Sequence, residues 1–186
     1  MIVVLCSGGV DSTVLAMRAL REKRLHSVVF IAFGQPAVDE ERRAVLLWGE
    51  RFGVPVVELG CPLRGSMAIG VGVAGPRVMA GRNLALIAWA VNYAAENGVR
   101  EVQFGAIGDD AKDYTDCRPE FVGAVGDLCR RAYGVDVRAP LLDTTKPEVI
   151  AEAAAFKILD GCWSCYQPRG GVPCGACASC VSRGAR

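Results

Sequence analysis

Two stretches of this 186-residue chain bring together residue types at spacings suited to chemistry, one near each end. The first is Ser7-Gly8-Gly9-Val10-Asp11-Ser12-Thr13, directly after the apolar run Ile2-Val3-Val4-Leu5 and Cys6. Adjacent glycines let the backbone turn tightly and aim successive N–H groups at an anion. Ser12 and Thr13 fall at the start of a predicted helix, where unpaired N–H groups and the helix dipole favour a phosphate. Asp11 then places a carboxylate beside bound phosphates, a position suited to steering Mg²⁺. Neither G-x-x-x-x-G-K-S/T nor G-x-G-x-x-G is present at this loop, so it is a different kind of phosphate loop.

The second stretch holds five of the nine cysteines: Cys162, Cys165, Cys174, Cys177 and Cys180. C-x-x-C spacing lets two thiolates converge on one ion, and two such spacings share Cys177. Four soft ligands suit a closed tetrahedral zinc site, and four thiolates suit an iron–sulfur cluster equally well. Spacing alone does not choose between Cys162 and Cys165 as the remaining ligand. The odd cysteine count, without a signal-peptide layout at Met1, argues against a disulfide framework and for a cytoplasmic protein.

The elements that must position these stretches alternate. Strands are predicted at residues 2–6, 28–33, 54–59, 102–106 and 137–138. Helices are predicted at 12–21, 39–52, 83–97, 118–133 and 147–156, the one at 83–97 apolar nearly all round and therefore buried. Residues 61–80 are glycine-rich and patternless, a loop. Strands that are apolar throughout, alternating with helices, predict a doubly wound, mostly parallel α/β sheet whose ligands lie beyond the C-terminal strand ends. The expected division is an α/β domain over 1–158 and a cysteine-rich segment over 159–186. His26 is expected in solvent, and Trp48, Trp89 and Trp163 in the core or against the sheet. At 52% apolar, 22% charged and net charge +1, the chain is globular and lacks the basic surface that nucleic acid requires. No run reaches the ~18–20 apolar residues of a membrane span.

The sequence SGGVDS after a short strand resembles the pyrophosphate loop of the N-type ATP pyrophosphatases, whose fold is Rossmann-like (the adenine nucleotide alpha hydrolase type). The tail S-C-Y-x(7)-C-G-x-C-x-x-C resembles the terminal signature of the 7-cyano-7-deazaguanine synthases, the QueC family. The likeness continues in order through Gly34-Gln35, Gly81-Arg82-Asn83, Gly105, Asp110, Tyr114, Asp116-Cys117-Arg118, Glu120-Phe121, Pro140-Leu141 and Lys146.

This resemblance implies an enzyme that uses ATP and ammonia to convert 7-carboxy-7-deazaguanine to the 7-cyano compound through an adenylated intermediate, releasing AMP and pyrophosphate. It implies Ser7, Gly8, Gly9, Asp11, Ser12, Arg82 and Asn83 for ATP and Mg²⁺, with Asp11 and Lys146 in the chemistry. Asp110, Tyr114, Asp116 and Arg118 are implied for the deazaguanine. Cys165, Cys174, Cys177 and Cys180 are implied for Zn²⁺, leaving Cys162 out, and a homodimer is implied for the assembly. The chain departs from the family's pattern in Pro36-Ala37, where an Arg and a His are usual, in Thr115 for a proline, and in its short length. Those departures raise arrest at the 7-amido compound as an alternative; other pyrophosphate-loop amide- or thio-forming synthetases remain a second.

Overall fold

In the computed structural model, which describes residues 1–61 and 79–183, five strands form one fully parallel sheet in the order β3-β2-β1-β4-β5. The strands are β1 (Ile2–Leu5), β2 (Leu25–Ala32), β3 (Val56–Gly60), β4 (Glu101–Gln103) and β5 (Asp136–Arg138). The helices are α1 (Val10–Arg21), α2 (Val38–Phe52), α3 (Arg82–Glu96), α4 (Pro119–Tyr133), α5 (Lys146–Ala155) and the short α6 (Ala178–Arg183). The expected loop at 61–80 lies almost wholly outside the described residues.

β1 is the central strand, with Ile2, Val3 and Val4 fully buried between two cores. α1, α2 and α5 cover one face and α3 and α4 the other, each face having its own cluster of buried side chains. The chain runs outward through β2 and β3, then returns to add β4 and β5 on the far side of β1. The strand order therefore reverses between β1 and β4, which opens a crevice beyond their C-terminal ends.

Four expectations are corrected. The outer strands are not apolar throughout: Val102 and Val137 join one core, while Glu101, Gln103, Asp136 and Arg138 border a concavity of about 700 Å³ on the other side. A period of two with one wet face is what such a strand needs. α3 is not buried all round either, since Leu84 and Trp89 are 45% and 43% exposed; Trp89 is thus a surface residue, whereas Trp48 is buried. His26 is not on a solvated polar stretch: β2 begins earlier than expected and takes it in, half-buried, with Nδ1 3.1 Å from Ser27 Oγ. Trp163 packs at the cleft described below rather than in a core.

Several local devices hold the site-bearing helices. Gly53 and Gly134 end α2 and α4 in the left-handed conformation. A Thr145/Glu148 capping box starts α5, whose first residue is Lys146. Farther along, Arg18 of α1 grips Glu152 of α5 through two bonds of 2.8 and 2.5 Å, fixing how the two helices lie together. Among the described residues no helix is long and apolar enough to cross a membrane.

Candidate active site

The crevice is a cleft of about 600 Å³ at the strand-order reversal, which also gathers the candidate residues; the concavity over β4 and β5, where charged side chains such as Glu101 and Arg138 meet apolar ones such as Leu15 and Val122, holds none of them. β1 delivers the chain into Ser7, and the helix begins at Val10, slightly earlier than expected, with Ser12 and Thr13 in its first turn. Ser12 Oγ accepts from the Ser7 N–H at 3.2 Å, and its hydroxyl lies 3.2 Å from the Gly9 carbonyl. The Thr13 hydroxyl donates to the same carbonyl at 2.7 Å. The loop is thus tied to the first helical turn by its own hydroxyls, while Ser7, Gly9, Asp11 and Ser12 line the cleft.

Gly8 is required twice over. Its φ is +75°, and a Cβ there would stand 2.8 Å from the Glu41 carbonyl oxygen and 2.9 Å from Ala44 Cβ. α2 therefore buttresses the loop from behind. Gly105, just past β4, is close-packed for a similar reason, since its Cβ would meet the Ser12 nitrogen at 3.0 Å.

Asp11 and Lys146 are 135 residues apart in sequence and form one pair: Nζ lies 2.8 and 2.7 Å from the two carboxylate oxygens. The Lys146 backbone N–H also donates to Asp109 Oδ2 at 2.9 Å, anchoring the start of α5. A carboxylate and an ammonium thus stand together at the mouth of the glycine loop, a pair able to meet a cation with one member and an anion with the other.

Across the cleft a turn carries Asp110, Tyr114, Asp116 and Cys117, all lining it. Burial first, and then the charge of Asp11, pushes the Asp110 carboxyl up from its ordinary value. Burial drives the Cys117 thiol up to about 11, so it stays protonated at neutral pH; the Asn83 amide sits 3.7 Å from its sulfur. Arg82 and Asn83 enter from the first turn of α3, with Gly81 in the left-handed conformation just before them. Arg118 stands apart from the other acceptor candidates. It lies outside the cleft wall at the start of α4, where Nε donates to the Ala111 carbonyl at 3.1 Å and braces the turn.

The cysteine segment returns to the same cleft. The sulfurs of Cys165, Cys174, Cys177 and Cys180 all lie within 4.8 Å of one another. Cys162 is excluded: it is buried in the core beneath α1, with its thiol 3.3 Å from the Ile158 carbonyl. The Cys174 thiol is pulled down to about 6 by backbone N–H groups of Ala176 and Cys177, so a thiolate is available for ligation. Sulfurs around one tetrahedral ion stand about 3.8 Å apart, given Zn–S of about 2.3 Å. A four-iron cluster holds its thiolates wider, so the four residues fit a single ion.

A family described as Queuosine biosynthesis protein QueC matches this chain over residues 75–185. The chain belongs to the QueC family. It is 32% identical to the 7-cyano-7-deazaguanine synthase of Koribacter versatilis, covering 97% of this chain and 86% of that protein. The synthase of Marinobacter nauticus is 32% identical over 98% of this chain and 90% of its own length, and that of Methanothrix thermoacetophila 31% over 97% and 91%. Relatives named as synthases make this a family of enzymes acting on small molecules. Among solved structures, the U34-tRNA thiolase NcsA of Methanococcus maripaludis, with its 4Fe-4S cluster, superposes with a TM-score of 0.59 at 15% identity, over 84% of this chain and 56% of that one. A predicted tRNA methyltransferase subunit of Methanocaldococcus jannaschii gives 0.53 at 14%, over 82% and 73%. At those identities the two superpositions speak for the fold alone, a parallel α/β sheet.

Some cleft residues of this family member left no signal in the sequence. Glu41 faces the cleft from α2, held at 2.8 Å by the Gln35 amide, and burial pushes its carboxyl up to about 7. Gln35 is itself fixed, accepting from the Phe33 N–H at 2.9 Å and donating to the Ile31 carbonyl at 3.2 Å. Glu41 is one acid among three in the first turn of α2, and only packing distinguishes it from Asp39 and Glu40. Trp163, Tyr166 and Ser179 also line the cleft.

Proposed function

We propose that this enzyme converts 7-carboxy-7-deazaguanine, ATP and ammonia to 7-cyano-7-deazaguanine through an acyl adenylate. The observation that carries the reading is the Asp11–Lys146 pair closing one end of the loop at 2.7–2.8 Å, opposite the acidic turn of Asp110, Tyr114 and Asp116. One end of the cleft suits a polyphosphate and the other a base rich in donors.

Ser7, Gly8, Gly9 and Ser12 bind the β- and γ-phosphates through the loop and first-turn N–H groups, with Asp11 on Mg²⁺. Mg²⁺ bound at Asp11 would supply charge neutralisation to the phosphates, and Lys146, paired with Asp11 in the free protein, would contact the phosphates directly. The acceptor carboxylate attacks the α-phosphorus, and Lys146 and the loop neutralise the charge gathering on the departing pyrophosphate. Arg82 and Asn83 hold the adenylate from the start of α3. Ammonia then attacks the acyl carbon, releasing AMP and leaving the amide; a second ATP adenylates the amide oxygen with loss of pyrophosphate, and departure of AMP carries that oxygen away as the nitrogen gives up its protons, leaving the nitrile. Asp110 or Asp116 accepts from the guanine-like N1–H and exocyclic amine, and this donor edge stabilises the charged form that burial disfavours in Asp110. Cys165, Cys174, Cys177 and Cys180 hold Zn²⁺, which supplies cross-linking to a segment with little core of its own. A homodimer in the cytoplasm completes the proposal, the exposed Leu84 and Trp89 of α3 offering apolar contact surface.

One observation favours a shorter reaction. Pro36 and Ala37 line the cleft where the family's pattern has an Arg and a His, so groups available to a second activation are missing from the wall. In that case the product is 7-amido-7-deazaguanine. Mass spectrometry of products, with AMP counted per product, tests both readings: the nitrile with two AMP supports the full reaction, and the amide with one supports arrest. No AMP with this acceptor would sink the proposed substrate.

A further inference from the structure

The cleft has a third wall, supplied neither by the phosphate loop nor by the acidic turn. Trp163, Ser164, Tyr166, Gln167 and Ser179 line it, and all belong to the cysteine segment. Residues here alternate in destination. Cys165 turns to the sulfur cluster while its neighbours Ser164 and Tyr166 turn to the cleft; Cys177 and Cys180 turn to the cluster while Ser179 turns to the cleft. Whatever orders the sulfurs therefore orders this wall.

The wall is also fastened to the rest of the site. The Trp163 N–H donates to the Gly8 carbonyl at 2.8 Å, and its indole N–H donates to the Cys165 carbonyl at 2.8 Å. Arg183 reaches back from α6 to the carbonyls of Cys162 and Leu159, the latter at 2.6 Å, and lies 3.5 Å from Ser164 Oγ. Tyr166 differs from Trp163 in being half exposed where it lines the cleft. An uncovered aromatic ring at a ligand cleft has one evident use, the face of a planar ring system.

We propose that the cysteine segment is the acceptor-binding wall of the active site, with Tyr166 stacking on a planar fused heterocycle and the Ser179 hydroxyl at its edge. This rests on the function proposed above and adds the residues that select the acceptor. The metal-bound fold of the segment then sets affinity for the acceptor more than for ATP.

Calorimetry on the full chain as purified, with metal content measured, tests the proposal. The probes are a non-hydrolysable ATP analogue alone, then 7-carboxy-7-deazaguanine added to the analogue complex. Tyr166→Ala is expected to weaken acceptor binding about tenfold or more, as loss of a base-stacking ring does. Analogue affinity should stay within about twofold and metal content should be unchanged, and Tyr166→Phe should retain wild-type acceptor affinity, because stacking needs the ring and not the hydroxyl. Unchanged acceptor affinity in Tyr166→Ala overturns the wall while leaving the proposed function standing. Equal loss of both affinities together with the metal makes Tyr166 a merely structural residue and also overturns it. Wild type that binds the analogue but not the carboxylate sinks the substrate assignment, and with it a wall defined by that base.

Discussion

The two chemical stretches of this chain are held in place by opposite means. The phosphate loop hangs from β1, whose Ile2, Val3 and Val4 are fully buried, and it is buttressed by α2 at Gly8 and by Gly105 beyond β4. Its shape is fixed by sheet packing before any ligand arrives. The segment from Cys162 onward has two short bridged residues and the six-residue α6 as its regular structure, with contacts among four sulfurs. Cys174 N–H to Cys165 Sγ at 3.2 Å and Cys177 N–H to Cys174 Sγ at 3.4 Å are bonds that strengthen when the sulfurs are thiolates on a cation. One region is made rigid by the fold, and the other has four converging thiols in place of a core, though both line one cleft.

The largest expected effect lies on the rigid side. Lys146→Ala should lower kcat by about a thousandfold, the scale of losing a group aimed at developing charge, with a melting temperature close to wild type because the pair opens onto the cleft, where water can take the place of the ammonium beside Asp11. A collapse of the melting temperature instead would mean that the Asp11 pair is structural.

On the ligated side, Cys174→Ser should drop metal content well below one ion per chain. It should lower the melting temperature by about 4–10 °C, equivalent to about 2–3 kcal/mol in a chain of this size. ATP-analogue binding should persist. If thermal stability is unchanged after metal loss, the contrast between the two regions is wrong.

Gly8→Ala tests the buttress. A left-handed φ of +75° and an approach of 2.8 Å to backbone predict a loss of about 1–3 kcal/mol, read by chemical denaturation, and weaker ATP binding.

Glu41, behind the same loop, gives the pH dependence. Burial raises its folded pKa from 4.5 to about 7; Gln35 and Arg82 oppose the shift and Glu40 adds to it. The folded state therefore holds this proton more tightly than the unfolded state does. Its stabilising contribution is full below 4.5 and is lost as pH rises to about 7, at up to about 1.4 kcal/mol per pH unit. Glu41→Gln should flatten that slope in denaturation curves measured from pH 4.5 to 7.5; an unchanged slope would place the titration elsewhere.

The smallest effect is expected at Arg118→Ala. Because Arg118 braces Ala111 from outside the cleft, acceptor KM should change by less than about threefold, the cost of one exposed hydrogen bond. A change of a hundredfold would return it to the acceptor site.

Local pattern made much of this legible. The buried core of β1, the alternation of strands and helices, the phosphate loop and the cysteine spacing all follow from neighbours in sequence. Where the reading failed, the cause was long-range covering. β4 and β5 carry Glu101, Gln103, Asp136 and Arg138 because one face of each borders an open concavity. α3 shows Leu84 and Trp89 to solvent, although its composition suits burial on every side. Hydropathy records what a residue tolerates, and only the packing of other elements records what it meets.

The sequence by itself determined that a glycine- and hydroxyl-rich loop follows the first strand, that a cluster of thiols lies near the other end, and, through ordered motifs, that both belong to one enzyme family. Tertiary structure decided which four of five cysteines converge, since Cys162 is drawn into the core beneath α1. It also brought Lys146 to Asp11 across 135 residues, set Glu41 behind the loop, and made the cysteine segment a wall of the cleft. These are meetings of side chains distant in sequence, created by the return of the chain across β1, and periodicity within a short window contains no term for them.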